Sequence, residues 1–164
     1  MITVKIRKIR FFVVASIIVL LQQCFTHRFQ LGWFHFDLMA IMAAYIVIYS
    51  DGKNAINYIL ILGLLRDLGS MGGFGLSFVS FFISAIILLL IKEVVSKNNL
   101  LSDLLLSFVF VMNSMILYNI LASHAPRPLL FYSFCTAIMS MFLTPPLFFL
   151  LKSSGVIKVI KTTF

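Results

Sequence analysis

The sequence predicts an all-α integral membrane protein, a six-helix transmembrane bundle with both ends on the cytoplasmic side. Three observations carry that expectation: an apolar composition, charge-free runs of membrane-crossing length, and basic residues gathered on one side. Of 164 residues, 62% are hydrophobic and 11% charged, with a mean hydropathy of +1.10. A soluble domain is about 45–50% apolar and about 25% charged. A globule of this size cannot hide the excess, because roughly a third of its surface stays wet.

The elements follow in order. Residues 10–26 form a first apolar segment behind Lys5, Arg7, Lys8 and Arg10. A basic start before an apolar run also describes a signal peptide, but Gln22-Gln23-Cys24 offers no small-residue cleavage site, so an uncleaved helix is expected. Residues 33–49 form a second span with Asp37 in its first turn, and 54–68 a third that is barely long enough. The segments 74–91, 103–123 and 128–151 are firm, since about 20 apolar residues cross the hydrocarbon core. With six alternating spans the cytoplasmic side holds Lys5, Arg7, Lys8, Arg10, Lys53, Lys92, Lys97, Lys152, Lys158 and Lys161, leaving Arg28, Arg66 and Arg127 outside. This is the positive-inside pattern. The net charge of +8 therefore reads as topology and attraction to anionic lipids, and no nucleic-acid groove is apparent. Short connections make the whole of 1–164 one transmembrane domain, with consecutive helices antiparallel neighbours.

Acidic residues within apolar sequence default to a functional hypothesis. Asp51, Glu93 and Asp103 fall beside lysines and read as solvated loop charges. Asp37 and Asp67 lie at outer helix ends, where they serve as caps or ion pairs, or contact a partner. Adjacent helical residues do not face each other, so Arg28 or Arg127 is as good a partner for Asp67 as Arg66. Around Asp67 stand Gly63, Gly69, Gly72, Gly73 and Gly75, five of the chain's eight glycines within thirteen positions. They predict close backbone approach and a compact outer turn.

Enzyme signatures are lacking. There is no His-Glu-x-x-His and no Gly-x-Ser-x-Gly, and His27, His35 and His124 are scattered. Asp51-Gly52-x-x-Ala55 with Gly63-x-x-x-Asp67 partly resembles a phosphatidyltransferase signature. Ile48, Ile56 and Met71 stand where the remaining charged groups belong, and Asp51 and Asp67 fall on opposite faces. No cofactor and no metal is expected. Cys24 and Cys135 behave as small hydrophobes. In the later spans Ser107, Ser114 and Tyr118 share one face, and Thr144-Pro145-Pro146 frees backbone carbonyls and should kink the sixth helix. These groups fit interhelical hydrogen bonds, or alternatively the binding site of a small-molecule transporter subunit of the vitamin type.

The stretch Gly63-Leu64-Leu65-Arg66-Asp67-Leu68, followed by Ser70 and a glycine-bearing turn into Gly75-Leu76, resembles the rod shape-determining protein MreD family. Asp37-Leu38 matches that family's other landmark, with Phe36 in place of the usual proline and Phe74 in place of another. The motif region covers 36–77, and the rest agrees in hydropathy. The resemblance implies a non-catalytic membrane scaffold subunit of the bacterial cell-elongation complex in the cytoplasmic membrane. It further implies binding to a bitopic MreC-like partner, linkage of actin-like filaments to the peptidoglycan polymerase and transpeptidase, and a fold similar to the substrate-binding subunits of energy-coupling-factor transporters. The candidate contact or structural residues are Asp37, Gly63, Arg66, Asp67, Gly72, Gly73 and Gly75.

Overall fold

The computed structural model describes residues 2–28, 36–69, 74–95, 99–122 and 129–161. A strand β1 (Ile2–Ile6) precedes six helices, α1 (Lys8–Arg28), α2 (Leu38–Tyr49), α3 (Gly52–Gly69), α4 (Leu76–Val94), α5 (Leu100–Leu121) and α6 (Leu129–Ser153), and a strand β2 (Ile157–Lys161) follows. The all-helical body and its six helices agree with the expectation. Among the described residues, three helices are long and apolar enough to cross a membrane, over Leu76–Glu93, Leu100–Leu121 and Leu130–Ser153. They correspond to the three firm runs of the sequence.

α2 is the exception in length and the centre in packing. Its 12 residues reach about 18 Å at 1.5 Å per residue, short of the roughly 30 Å hydrocarbon core. Every residue from Leu38 to Val47 is buried, and the helix touches α1, α3, α4, α5 and α6. An apolar run without a polar face has to be enclosed. Ala40, Ala43 and Ala44 keep the run slim, which lets neighbouring backbones close in. Around this axis α3, α4, α5 and α6 pack in sequence order, each against the next. Their outer faces carry bare apolar side chains, with Leu90 67%, Phe142 73% and Phe149 73% exposed. Water would penalise so extended an apolar surface, whereas lipid solvates it.

The strands were not foreseen. β1 and β2 pair antiparallel in the register Ile2↔Lys161, Val4↔Val159 and Ile6↔Ile157. Alternation of Ile and Val with Thr and Lys in β1 is a strand pattern, but β2 keeps it only over Ile157-Lys158-Val159, and five residues at each end are too few to be recognised apart. Arg7 N donates to Val156 O at 2.9 Å and continues the pairing. Gly155 closes α6 with φ 63, and Arg10 Nη1 donates to Ser154 O at 2.9 Å across the turn. A Cβ on Gly155 would sit 2.7 Å from that Nη1. The two described ends are therefore tied together on one face of the bundle.

α6 runs as one helix through Pro145 and Pro146. Each proline lacks the N–H that would bond four residues back, so the carbonyls of Met141 and Phe142 lose their helical donors. Thr144 Oγ1 reinforces the preceding turn by donating to Ser140 O at 3.0 Å.

A candidate functional site at the head of the central helix

Asp37 is the N-cap of α2. Its Oδ1 accepts from Ala40 N at 2.9 Å, which satisfies one of the amides a helix start leaves open. Two other helices hold the same end. Asp37 N donates to Ser140 Oγ of α6 at 3.2 Å, and Met39 N donates to Gln22 Oε1 of α1 at 3.0 Å. The remaining carboxylate oxygen, Oδ2, lies 2.8 Å from Arg66 Nη1 of α3. Asp37 is fully buried and the Arg66 side chain 12% exposed, so the pair sits where water screens little. The contact is an ion pair without hydrogen-bond alignment, and its strength comes from charge and burial.

Arg66 reaches further. Its guanidinium lies 5.1 Å from the ring centroid of Phe81 on α4 and 5.2 Å from that of Tyr118 on α5. Both are cation–π distances. One side chain thus joins α3 to α2, α4 and α5.

Asp67, the next residue, serves a different helix. Its carboxylate accepts from Gly75 N at 2.9 Å, Ser77 N at 3.0 Å and Phe78 N at 3.3 Å. These amides open α4, whose own N-cap, Gly75, has no side chain to offer and stands at φ 92. A Cβ on Gly75 would meet nothing within 4 Å, so glycine is required there by conformation and not by space. Gly63 is required by space. A Cβ there would lie 2.7 Å from Phe78 Cα, so the backbones of α3 and α4 touch.

Of the predicted residues, Asp37, Gly63, Arg66, Asp67 and Gly75 converge on this end of the bundle. Gly72 and Gly73 lie outside the described residues, as do Arg127, His35, His124 and the side chains of Arg28 and His27. Arg66 and Asp67 do point apart, as helix geometry demands; the arginine reaches the other landmark aspartate. Gln22, Phe81 and Ser140 were not singled out as site residues, and Tyr118 was read with Ser107 and Ser114 as a polar face, not as a partner of Arg66. Each is an ordinary side chain in an apolar run, and only the fold brings it to the charges.

The opposite end of α2 corrects the reading of Asp103 as a solvated loop charge. Asp103 lies in the first turn of α5 and accepts the Tyr49 hydroxyl. Lys92, in the last turn of α4, donates from Nζ to Val47 O at 2.6 Å and Ser50 O at 3.1 Å, closing the carbonyl end of α2. The helices run further than the apolar stretches alone, because α4 continues to Val94 and α5 begins at Leu100. The interhelical role of the polar residues is visible in Ser107 Oγ and Thr144 Oγ1, 3.2 Å apart between α5 and α6. Asp51 and Asp67 flank the two ends of the 18-residue α3, too far apart to share a metal.

Chemically, Asp37 and Asp67 are occupied in fastening helix starts. What the site does is fasten the head of α2 to α1, α3 and α6 directly and, through Arg66, to α4 and α5.

The sequence model of the family described as rod shape-determining protein MreD matches residues 5–154. No curated protein and no solved structure gives a significant match. The two landmarks that carried the resemblance, Asp37-Leu38 and the Arg66-Asp67 segment, are the two halves of one ion-paired cluster. With nearly its whole length matched, the chain belongs to the MreD family, whose members are membrane proteins of the MreBCD complex that determines rod shape.

Proposed function

We propose that this chain is the non-catalytic, multi-pass scaffold subunit of the rod complex in the bacterial inner membrane. It holds a bitopic MreC-like partner and helps couple cytoplasmic actin-like filaments to the peptidoglycan polymerase and transpeptidase. The observation that supports this most is the Asp37–Arg66 pair with the adjoining Asp67 cap. It fixes the relative placement of α2, α3, α4 and α5 at one bundle end while leaving Leu68 and Phe74, each 72% exposed, on the surface beside it. A rigid internal frame with apolar side chains outside suits helix-on-helix association within a membrane.

The pairing of β1 with β2 fits an even number of crossings. Six spans in one transmembrane domain, with that side cytoplasmic, are supported by nine of the ten basic residues expected there, Lys97 lying outside the described residues. At about 18 Å, α2 then crosses with local thinning of the bilayer. The bond between Ser107 and Thr144 favours a scaffold over a transporter subunit, because these hydroxyls are used to join helices.

Co-purification of the full chain with its MreC-like partner from detergent tests the proposal. The wild type should retain the partner, and Asp67→Asn, which weakens the fastening of α4, should lower retention several-fold with the protein still helical. Specific binding of a vitamin, or association with an ATPase module in place of the partner, would overturn it.

A further inference from the structure

At the end of the bundle that holds the termini, α2, α5 and α6 enclose a cavity of about 270 Å³. One wall is aromatic. Tyr45 and Tyr49 stand 4.9 Å apart between ring centroids, and Phe148 lies 5.1 Å from Tyr45. Thr144 and Pro145 form the side where α6 has surrendered its hydrogen bonds. Two opposite charges line the same cavity, Asp103 from the start of α5 and Lys152 from the end of α6. Asp103 takes the Tyr49 hydroxyl on Oδ2, leaving Oδ1 without a hydrogen bond among the described residues. Lys152 is exposed, and its ammonium has no partner among them either; the two charges do not pair with each other. The rim is apolar, with Leu100 66% and Phe149 73% exposed.

We propose that this cavity binds the headgroup of an aminophospholipid from the leaflet on the side of the paired termini. A primary ammonium offers three donors to Asp103 Oδ1 and the aromatic wall, and the lipid phosphate meets Lys152. The acyl chains leave over Leu100 and Phe149, where the surface is already that of a lipid-facing helix. Size and charge select this occupant. The cavity is smaller than most drug-sized pockets, so it holds a headgroup but not a partner helix about 10 Å across. A purely anionic lipid would match Lys152 and oppose Asp103. Phosphatidylcholine would bring a trimethylated nitrogen with no donor for the carboxylate. The site therefore differs from the diffuse attraction that a net charge of +8 exerts on anionic headgroups.

Native mass spectrometry of the purified full chain, loaded in turn with phosphatidylethanolamine, phosphatidylcholine and phosphatidylglycerol of identical acyl chains, reads the selectivity without any mutation. Phosphatidylethanolamine should be retained roughly tenfold better than either, the worth of one charge-assisted hydrogen bond. Asp103→Asn, which keeps an acceptor for Tyr49, should bring the three lipids close to parity. Lys152→Gln should weaken all three alike. Equal retention by the wild type would overturn the proposal, as would unchanged selectivity in Asp103→Asn. So would photocrosslinking from position 104 to a transmembrane helix of the partner in the assembled complex. Tyr49→Phe, which leaves the carboxylate in place, should keep the preference for phosphatidylethanolamine, and its loss there would also count against the assignment.

Discussion

The two ends of α2 are closed by different means. At the head, an aspartate caps the helix and an arginine from α3 meets that aspartate, both withdrawn from solvent. At the tail, a lysine from α4 is laid on the last carbonyls at a half-buried position, and a tyrosine hydroxyl meets Asp103 at an exposed one. The head joins full charge to full charge, and the tail joins one charge to a helix dipole. A cation on terminal carbonyls is worth about 0.3–1 kcal/mol, up to roughly 2 kcal/mol when partly buried. A buried pair is a net gain of little, but losing one member strands the other, at about 3–5 kcal/mol. The head is thus an all-or-none lock and the tail a graded one. A lock that fails only as a unit suits the end where α2, α3, α4 and α5 must keep one arrangement.

The largest expected effect breaks the head. Arg66→Met keeps the length and the packing against Phe81 and Tyr118 but leaves Asp37 buried without its cation. Stability in detergent, followed by unfolding in sodium dodecyl sulfate, should fall by about 3–5 kcal/mol. Adding Asp37→Asn should restore part of it, since asparagine still caps a helix and carries no charge to strand. Additive losses in the double variant would mean that the two residues do not act as a pair. The tail gives less. Lys92→Met should cost about 1 kcal/mol by the same measurement, since it takes a cation from terminal carbonyls and strands no opposite charge. A loss as large as that of Arg66→Met would erase the contrast between the ends.

How much of this was legible follows from the kind of signal. The three long helices announce themselves by hydropathy, because a bilayer demands about 20 apolar residues and sequence counts them directly. Asp37, Arg66 and Asp67 were visible because charge within apolar sequence is costly and therefore conspicuous. Which charge meets which was not, since Asp37 and Arg66 are 29 positions apart and only the packing of α3 on α2 brings them to 2.8 Å. Lys92 and Asp103 look like any charges near a connection, and their bonds depend on helices extending past the apolar stretch. The short strands depend on each other: Ile2–Ile6 has a partner only because α6 ends beside α1.

The smallest effect sharpens the comparison from within the bundle. Ser133 and Thr136 of α6 are wholly buried, and their hydroxyls have no hydrogen-bond partner among the described residues. They share a face with Ser140, which accepts from Asp37 N, and with Thr144, which meets Ser107. A buried hydroxyl that makes no bond carries a desolvation cost and returns nothing for it. Ser133→Ala and Thr136→Val should therefore leave stability within about 0.5 kcal/mol of wild type, or raise it slightly. Ser140→Ala on the same stripe should cost about 1 kcal/mol, because it takes the acceptor from the amide of Asp37. If all three substitutions prove equally harmless, the head of α2 is held by the ion pair and the Gln22 bond without α6. A cost confined to Ser140 makes α6 a third fastening of that end, joined through a neutral bond that a change of charge cannot release.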